Sequence, residues 1–444
     1  MTRAPRVPAI LGVILGVLVT GCGGGLRGRV ADAAHAGDFE GAWTSYEAVR
    51  ASDGDDEELL GFVAEALLLR EARGEDATAR DGAIVQLSLA GTRGRGPLEQ
   101  LAAAEGPSAL GALVALARVG DRGSRRLLRG MADSADASVR AASVLGMSAE
   151  EDRALLVSWC ADPSREVRDA ACARLAELAP DGEVMALLVE RSRIDPEAGV
   201  RAAATRALGR FGAQAALPLR DRLSDADPRV RSAALESLLR ADREAGRQAV
   251  ASLLATPTSA ITVEAARLVA TPLEPAAPPS EADLLAARTH LLGALTLADA
   301  TLRGQAAMAL VALSPDDDTT GALLPLVDAE PDVGVRLSLA RALFGRRSAR
   351  ERARASLARL LAEDHGMTGA QAAVVLAAAG DEDGVARLRA ELSSPEPSVR
   401  RVVVRALARD AMRPTEVREQ LRDPDAAVRI SAAGGVLAAL AARE

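Results

Sequence analysis

Apolar residues recur along most of the chain at helical rather than strand spacing. Val200, Ala203, Ala204 and Leu208 stand at i, i+3, i+4 and i+8, which is one face of an α-helix. An acidic or Pro-containing turn precedes this face, and the whole phrase returns as DASVRAASVLG, DPSREVRDAACARLA, DPEAGVRAAATRALG, DADPRVRSAALESLL, DAEPDVGVRLSLARALF, SPEPSVRRVVVRALA and DPDAAVRISAAGGVL. Its arginines are Arg140, Arg168, Arg201, Arg231, Arg336, Arg400 and Arg429, at successive separations of 28, 33, 30, 105, 64 and 29 residues. The two long intervals divide into roughly three and two units, and weaker copies fill them. TPTSAITVEAARLVA and DATLRGQAAMALVAL, with Arg303 in the arginine position, lie in the first interval, and HGMTGAQAAVVLAAAG lies in the second. EGPSALGALVALARVG is a further copy upstream. Intervening stretches such as AALPLRDRLSD and ALLPLVDAE carry the same spacing, so the unit reads helix, turn, helix.

Composition fixes what such helices can pack with. Hydrophobic residues make up 49% of the chain and aromatics only 2%, so the core is built from Ala, Leu and Val. Ala and Leu are the best helix formers, and strand-favouring residues other than Val are scarce. The expected fold is all-α, an α-solenoid in which each unit packs on its neighbours. About eleven stacked units at helix spacings of ~8 to 10 Å would make a curved rod of the order of 100 Å.

The repeated phrase resembles the HEAT-like repeats, especially the short bacterial type named after phycocyanobilin lyase subunits, over about residues 97 to 444. The resemblance implies an armadillo-like superhelix offering binding surface. It is one of repeat shape, because no bilin-handling residues can be matched. Upstream, Gly37, Phe39, Ala42, Tyr46 and Val49, with a second apolar helix near Leu59 to Leu69, resemble a tetratricopeptide-type hairpin within residues 30–96, without its usual closing Pro. A plain amphipathic helix pair is the other reading of that segment. Residues 271–282, TPLEPAAPPSEA, hold four prolines and interrupt the array as a loop or hinge, leaving repeats at 97–270 and 283–444.

The amino terminus reads as an address. Arg3 and Arg6 precede an apolar run too short for a comfortable transmembrane helix, followed by small residues, which is the order of a secretory signal over residues 1–21. Val19, Thr20, Gly21 and Cys22 resemble the lipobox of bacterial lipoproteins, which implies cleavage before Cys22 and acylation of its thiol. Residues 22–29 then serve as anchor and flexible tether. Gly23 after the cysteine resembles the sorting signal for the periplasmic face of the outer membrane, with the cytoplasmic membrane as the alternative.

Charge and chemistry narrow the function. The net charge of −8 is spread through alternating signs, and neither concentrated positive charge nor stacking aromatics are present, which excludes broad nucleic-acid binding. All 54 basic residues are Arg, so there is no lysine for a Schiff base or a Walker A loop. His35, His290 and His365 fall in different predicted units, which argues against a metal site. No nucleophile elbow or Cys-His pair is found, no catalytic residue can be nominated and no cofactor is implied. The chain reads as a non-enzyme. Cys160 and Cys172 straddle a predicted turn at residues 162–166, and two readings stay open: a disulfide across the hairpin, or two small buried side chains.

The repeated arginines, Arg303 included, read as structural, because an Asp in a turn and an Arg near a helix start can bond within and between stacked units. A second set, Arg206, Glu236, Arg341 and Arg405, with Arg401 one turn earlier, falls on the helix side away from the core and is the candidate partner-binding row. The function that follows is a lipid-anchored envelope scaffold or adaptor that binds a protein partner. The alternatives are a structural spacer or assembly factor for an envelope complex, and a non-catalytic accessory subunit of an enzyme. The final helix, ending VLAALAARE, lacks a polar outer side and reads as an exposed end or a docking face.

Overall fold

The structure is a computed structural model that describes residues 25–178, 181–271, 279–313, 320–321, 323–363, 366–409 and 414–443. Among these residues there is no strand; the chain is an all-α solenoid of short helices. In chain order they are α1 (Leu26–Ala36), α2 (Phe39–Asp53), α3 (Glu57–Arg73), α4 (Ala77–Leu89), α5 (Thr92–Ala103), α6 (Pro107–Arg118), α7 (Arg122–Arg129), α8 (Ala137–Ser143), α9 (Arg153–Trp159) and α10 (Arg165–Leu175). There follow α11 (Gly182–Ile194), α12 (Ala198–Leu208), α13 (Ala216–Arg222), α14 (Pro228–Ala241), α15 (Arg243–Leu254), α16 (Ala260–Ala270), α17 (Glu281–Ala294) and α18 (Ala300–Leu313). The last are α19 (Leu326–Ala329), α20 (Val333–Phe344), α21 (Arg350–Glu363), α22 (Met367–Ala378), α23 (Glu382–Glu391), α24 (Pro397–Arg409) and α25 (Ala426–Ala441), with a 3-10 stretch at Pro414–Arg422 before α25.

Aspartates start many of these helices. Asp56, Asp76, Asp181, Asp227, Asp242, Asp332 and Asp425 each accept an N–H of the first turn that would otherwise have no intrahelical partner. At the end of α1, Gly37 adopts φ 75°, a left-handed conformation that an L side chain resists, and it turns the chain directly into α2. No described helix is long and apolar enough to cross a membrane.

The chain divides into two compact units. One comprises Leu128–Arg387, where successive second helices of the repeats, α10, α12, α14, α16, α18 and α20, pack in sequence around a continuous core of Ala, Leu and Val. Residues 272–278 of the Pro-rich interruption lie outside the described residues, and the flanking α16 and α17 pack against each other within this unit. The second unit joins the described residues 25–127 with those from Leu388 onward.

In this second unit α3 is enclosed by α1, α2, α4, α5 and α25. Its sequence LLGFVAEALLL is apolar on every side, and Leu60, Val63, Ala64, Leu67 and Leu68 are fully buried, as expected of a helix that is covered all round. The apolar face of α25 is the missing cover: Val436, Leu437 and Leu440 are buried in the same packing. The C-terminal face expected to be an exposed end or docking surface is therefore corrected; the chain covers it with its own amino-terminal helices. The physical reason is that the apolar faces of α3 and α25 bury each other.

Arginines from the C-terminal segment and acids from the amino-terminal segment frame that joint. Arg418 pairs with Asp55 (2.9 Å), Arg422 with Glu40 (3.4 Å), Arg429 with Glu71 (2.9 Å) and Arg443 with Glu57. Arg422 also lies over the Trp43 ring, 5.7 Å from its centroid. Most of these pairs are half-exposed and contribute little each. Arg429 and Glu71 are the exception, with side chains only 18% and 9% exposed.

Candidate interaction surface

The repeated arginines share one geometry. Asp162, Asp195, Asp225, Glu330 and Asp423 each lie six residues before a repeat arginine, in the turn that opens its helix. The arginine of the preceding unit grips this carboxylate with two parallel bonds. Arg168 donates through Nε and Nη2 to the two oxygens of Asp195 at 2.8 and 3.0 Å; Arg140 does the same to Asp162, Arg201 to Asp225, Arg303 to Glu330 and Arg400 to Asp423. The third nitrogen, Nη1, donates to the two carbonyls six and five residues back in the arginine's own turn, as in Arg168 to Asp162 and Pro163. The same acid accepts a backbone N–H two residues on, as Asp195 does from Glu197. One guanidinium thus ties its own turn to its own helix and then to the next unit, using the planar fork that a lysine lacks.

The electrostatics follow from this geometry. Burial alone would raise the Asp162 carboxyl, but the bonds from Arg140 and from the Ser164 N–H hold it below the ordinary range. Asp225 is lowered in the same way by Arg201 against the same opposing burial. Glu330 is lowered chiefly by Arg303.

The pattern is interrupted where the repeats are eroded. Arg231 reaches its own carbonyls at Asp225 and Ala226, but the residue in the acidic position of the next unit is Thr258, which bonds His290 instead (3.1 Å). In that unit Glu264 occupies the arginine position and pairs with Arg267 at 2.7 Å. The acidic position before Arg303 is Leu297, whose carbonyl is all that remains for bonding. Arg336 finds no partner for its buried Nε among the described residues; His365, which holds the acidic position of the next copy in the sequence, lies outside them. At the last repeat, Arg429 donates to the carbonyls of Asp423 and Pro424 and turns its Nε to Glu71 of α3. Glu71 stands where a further repeat's acid would be, and no repeat motif in the sequence marks it.

The residues of the expected binding row fall in both units. Arg206 on α12, Glu236 on α14 and Arg341 on α20 belong to the unit Leu128–Arg387, whereas Arg401 and Arg405 on α24 belong to the other. Arg206 and Arg341 are exposed and make no ion pair among the described residues, although the Arg206 charge reaches Asp169. Glu236 is half-buried and faces Arg267 at 3.5 Å. Arg405 is exposed beside a small hollow of about 300 Å³ lined by Gln86, Ser431 and Gly434, and Arg401 is half-buried.

Sequence reasoning missed Met308. It occupies on α18 the register that Arg206, Glu236 and Arg341 occupy on their helices, and it is 44% exposed. Beside it an open groove of about 720 Å³ runs between α16, α18 and α20. Its floor is small and apolar, with Ala300, Gly304, Ala309 and Val335, and Arg267 and Asp332 stand among its walls. The missing signal was register: Met308 stands at the position that carries Arg206, Glu236 and Arg341 in the better copies.

Other candidate chemistry stays dispersed. No cluster of three or more His, Cys, Asp or Glu able to hold a metal occurs among the described residues. His35 packs edge-on against Phe62, and His290 bridges Thr258 and the Leu254 carbonyl. Cys22, the expected lipidation site, and the signal at 1–21 lie outside the described residues. Cys160 and Cys172 are buried, and their sulfurs are 3.4 Å apart.

Residues 153–238 and 185–270 match the model of HEAT repeats. No curated protein sequence matches the chain. Among solved structures, YibA of Escherichia coli is similar at 15% identity, covering 62% of this chain and 98% of YibA, with a TM-score of 0.38. Importin beta is similar at 14% identity, covering 90% of this chain and 67% of that structure, with a TM-score of 0.37.

Proposed function

We propose that the protein is a lipid-anchored scaffold that holds a protein partner on its repeat surface. The observation that supports this best is the groove beside Met308: apolar at its floor, open to solvent, and set in a row whose members Arg206 and Arg341 have no ion-pair partner among the described residues. Burying an aliphatic side chain against Met308 and Val335 would supply affinity, and carboxylates of the same partner would meet the exposed arginines. The partner segment is therefore one with an aliphatic anchor flanked by Asp or Glu.

Selection of a displayed random-peptide library on a chain beginning at Gly25 tests this surface. Enrichment of aliphatic residues flanked by acids is expected, with binding abolished by Met308→Asp, weakened several-fold by Arg341→Glu and unchanged by Arg405→Glu. Absence of enrichment, or peptides indifferent to Met308→Asp, would refute the assignment.

The anchor rests on the lipobox-like residues ending at Cys22 and places the scaffold at the envelope, on the periplasmic face of the outer membrane. Intact mass of the membrane-bound protein checks it. A chain starting at Cys22 with added acyl mass, lost in Cys22→Ala, is expected, and a soluble unacylated chain would remove the anchor from this reading.

A further inference from the structure

We propose that Cys160 and Cys172 are joined in a disulfide that staples one repeat. The two residues lie on either side of the turn between α9 and α10, each fully buried, with the Cys172 thiol donating to the Cys160 sulfur at 3.4 Å. Bond formation requires the sulfurs to close by little more than an ångström, within what a helix-flanking turn can absorb. Free cysteine packs well in cores, but two such side chains directed at one another across a single turn are placed for bonding rather than for filling space.

The location gives the bond a purpose. Within the loop it would close lie Asp162, which accepts both bonds from Arg140, and the carbonyls of Asp162 and Pro163, which accept from Arg168. The helices before this turn, α8 and α9, have seven residues each, too few for helical stability of their own. A covalent link between Cys160 and Cys172 restrains the unfolded chain and holds the turn through which two neighbouring units are clasped.

The chemistry balances by thiol–disulfide exchange with a small-molecule disulfide. One cysteine thiolate attacks that disulfide, forming a mixed disulfide and releasing one small thiol. The second cysteine, as thiolate, attacks the protein sulfur of the mixed disulfide and releases the other. The protein gives up two electrons and two protons, and the small disulfide is reduced to two thiols. Contact with Cys160 and burial push the Cys172 thiol up, so little of Cys172 is thiolate in the folded protein. Oxidation therefore belongs to the folding chain or to a locally opened repeat, and it runs faster during refolding than in the folded reduced protein. This inference is independent of the anchor, because the oxidant in the test is supplied.

A chain beginning at Gly25 retains every described helix and lacks Cys22. It is refolded in mixtures of reduced and oxidised glutathione, then unfolded in acid and treated with an alkylating reagent. The expected product is lighter than the reduced chain by about two hydrogen masses, takes up no alkyl group, and loses several degrees of thermal midpoint on reduction. In Cys172→Ala that redox dependence of the midpoint disappears. Two alkylatable thiols at every glutathione ratio, or glutathione attached separately to each cysteine, would overturn the proposal. The mass measurement needs no variant, so it decides even if Cys172→Ala fails to fold.

Discussion

The repeats from Arg140 to Arg231 and those from Thr258 to Met308 are built from the same unit, yet they differ in what joins one unit to the next. In the first stretch three successive arginines hold the carboxylates of Asp162, Asp195 and Asp225. In the second the acidic position is filled by Thr258 and then Leu297, and the arginine position of one unit holds Glu264; the groove beside Met308 borders the unclasped α16 on one side and, on the other, α20, which the Arg303–Glu330 pair joins to α18. Both stretches keep the apolar core. Stacking is therefore the work of Ala, Leu and Val, while the clasp fixes the turn of one unit against the next.

The sharpest way to break the comparison is Asp195→Ala. Asp195 is fully buried and leaves Arg168, 10% exposed, without its partner charge; a loss of about 3 to 5 kcal/mol in urea unfolding is expected. Replacing both residues, Arg168→Met with Asp195→Leu, should recover most of it. A small loss for Asp195→Ala alone would show that the clasp is ornamental. Next in size is Arg429→Ala, which removes the equivalent grip at the joint of the two chain ends. A loss of about 1 to 3 kcal/mol is expected, read from the fluorescence of Trp43, which lies in that joint.

Glu65 contrasts with the clasped acids. Burial pushes its carboxyl up to about 7, with Arg93 opposing from 3.5 Å, whereas Asp162 and Asp225 are held low. The raised group favours the folded state while protonated there, so that contribution is lost as pH rises from about 4.5 to 7. Glu65→Gln should remove this slope and stabilise the protein by about 1 to 3 kcal/mol above pH 7. The lowered acids act in the opposite sense: their contribution is present above the ordinary carboxyl range and lost as pH falls through their depressed values. The smallest effect is expected from Thr258→Asp, which supplies Arg231 with the absent carboxylate. A gain of at most about 1 kcal/mol, with weaker peptide binding at the Met308 groove, would connect the missing clasp to the site.

How far the sequence could be read follows from the range of each interaction. The helical period around Val200 and Leu208 and the turn before each Val-Arg are local signals, and they lead to the repeat unit directly. The clasp is nearly local, since its acid and arginine sit in adjacent copies, although the six-residue offset from acid to arginine emerges only with the structure. The contact between Arg429 and Glu71 spans most of the chain, and Glu71 belongs to no repeated phrase. Two features did foreshadow it: α3 is apolar on all sides, and α25 ends in an uncapped Ala-Leu-Val face. Each alone reads as an oddity, and only together do they describe one interface.

By itself the sequence determined the helices, their period and the Ala-Leu-Val core, because propensity, capping and amphipathic spacing act within a few residues. The tertiary structure decided that the two ends of the chain pack in one unit, that the expected row of charges is divided between two units, and that Met308 rather than an arginine marks the groove. Those outcomes depend on which surfaces remain uncovered once neighbouring units have stacked, and no local pattern carries that information.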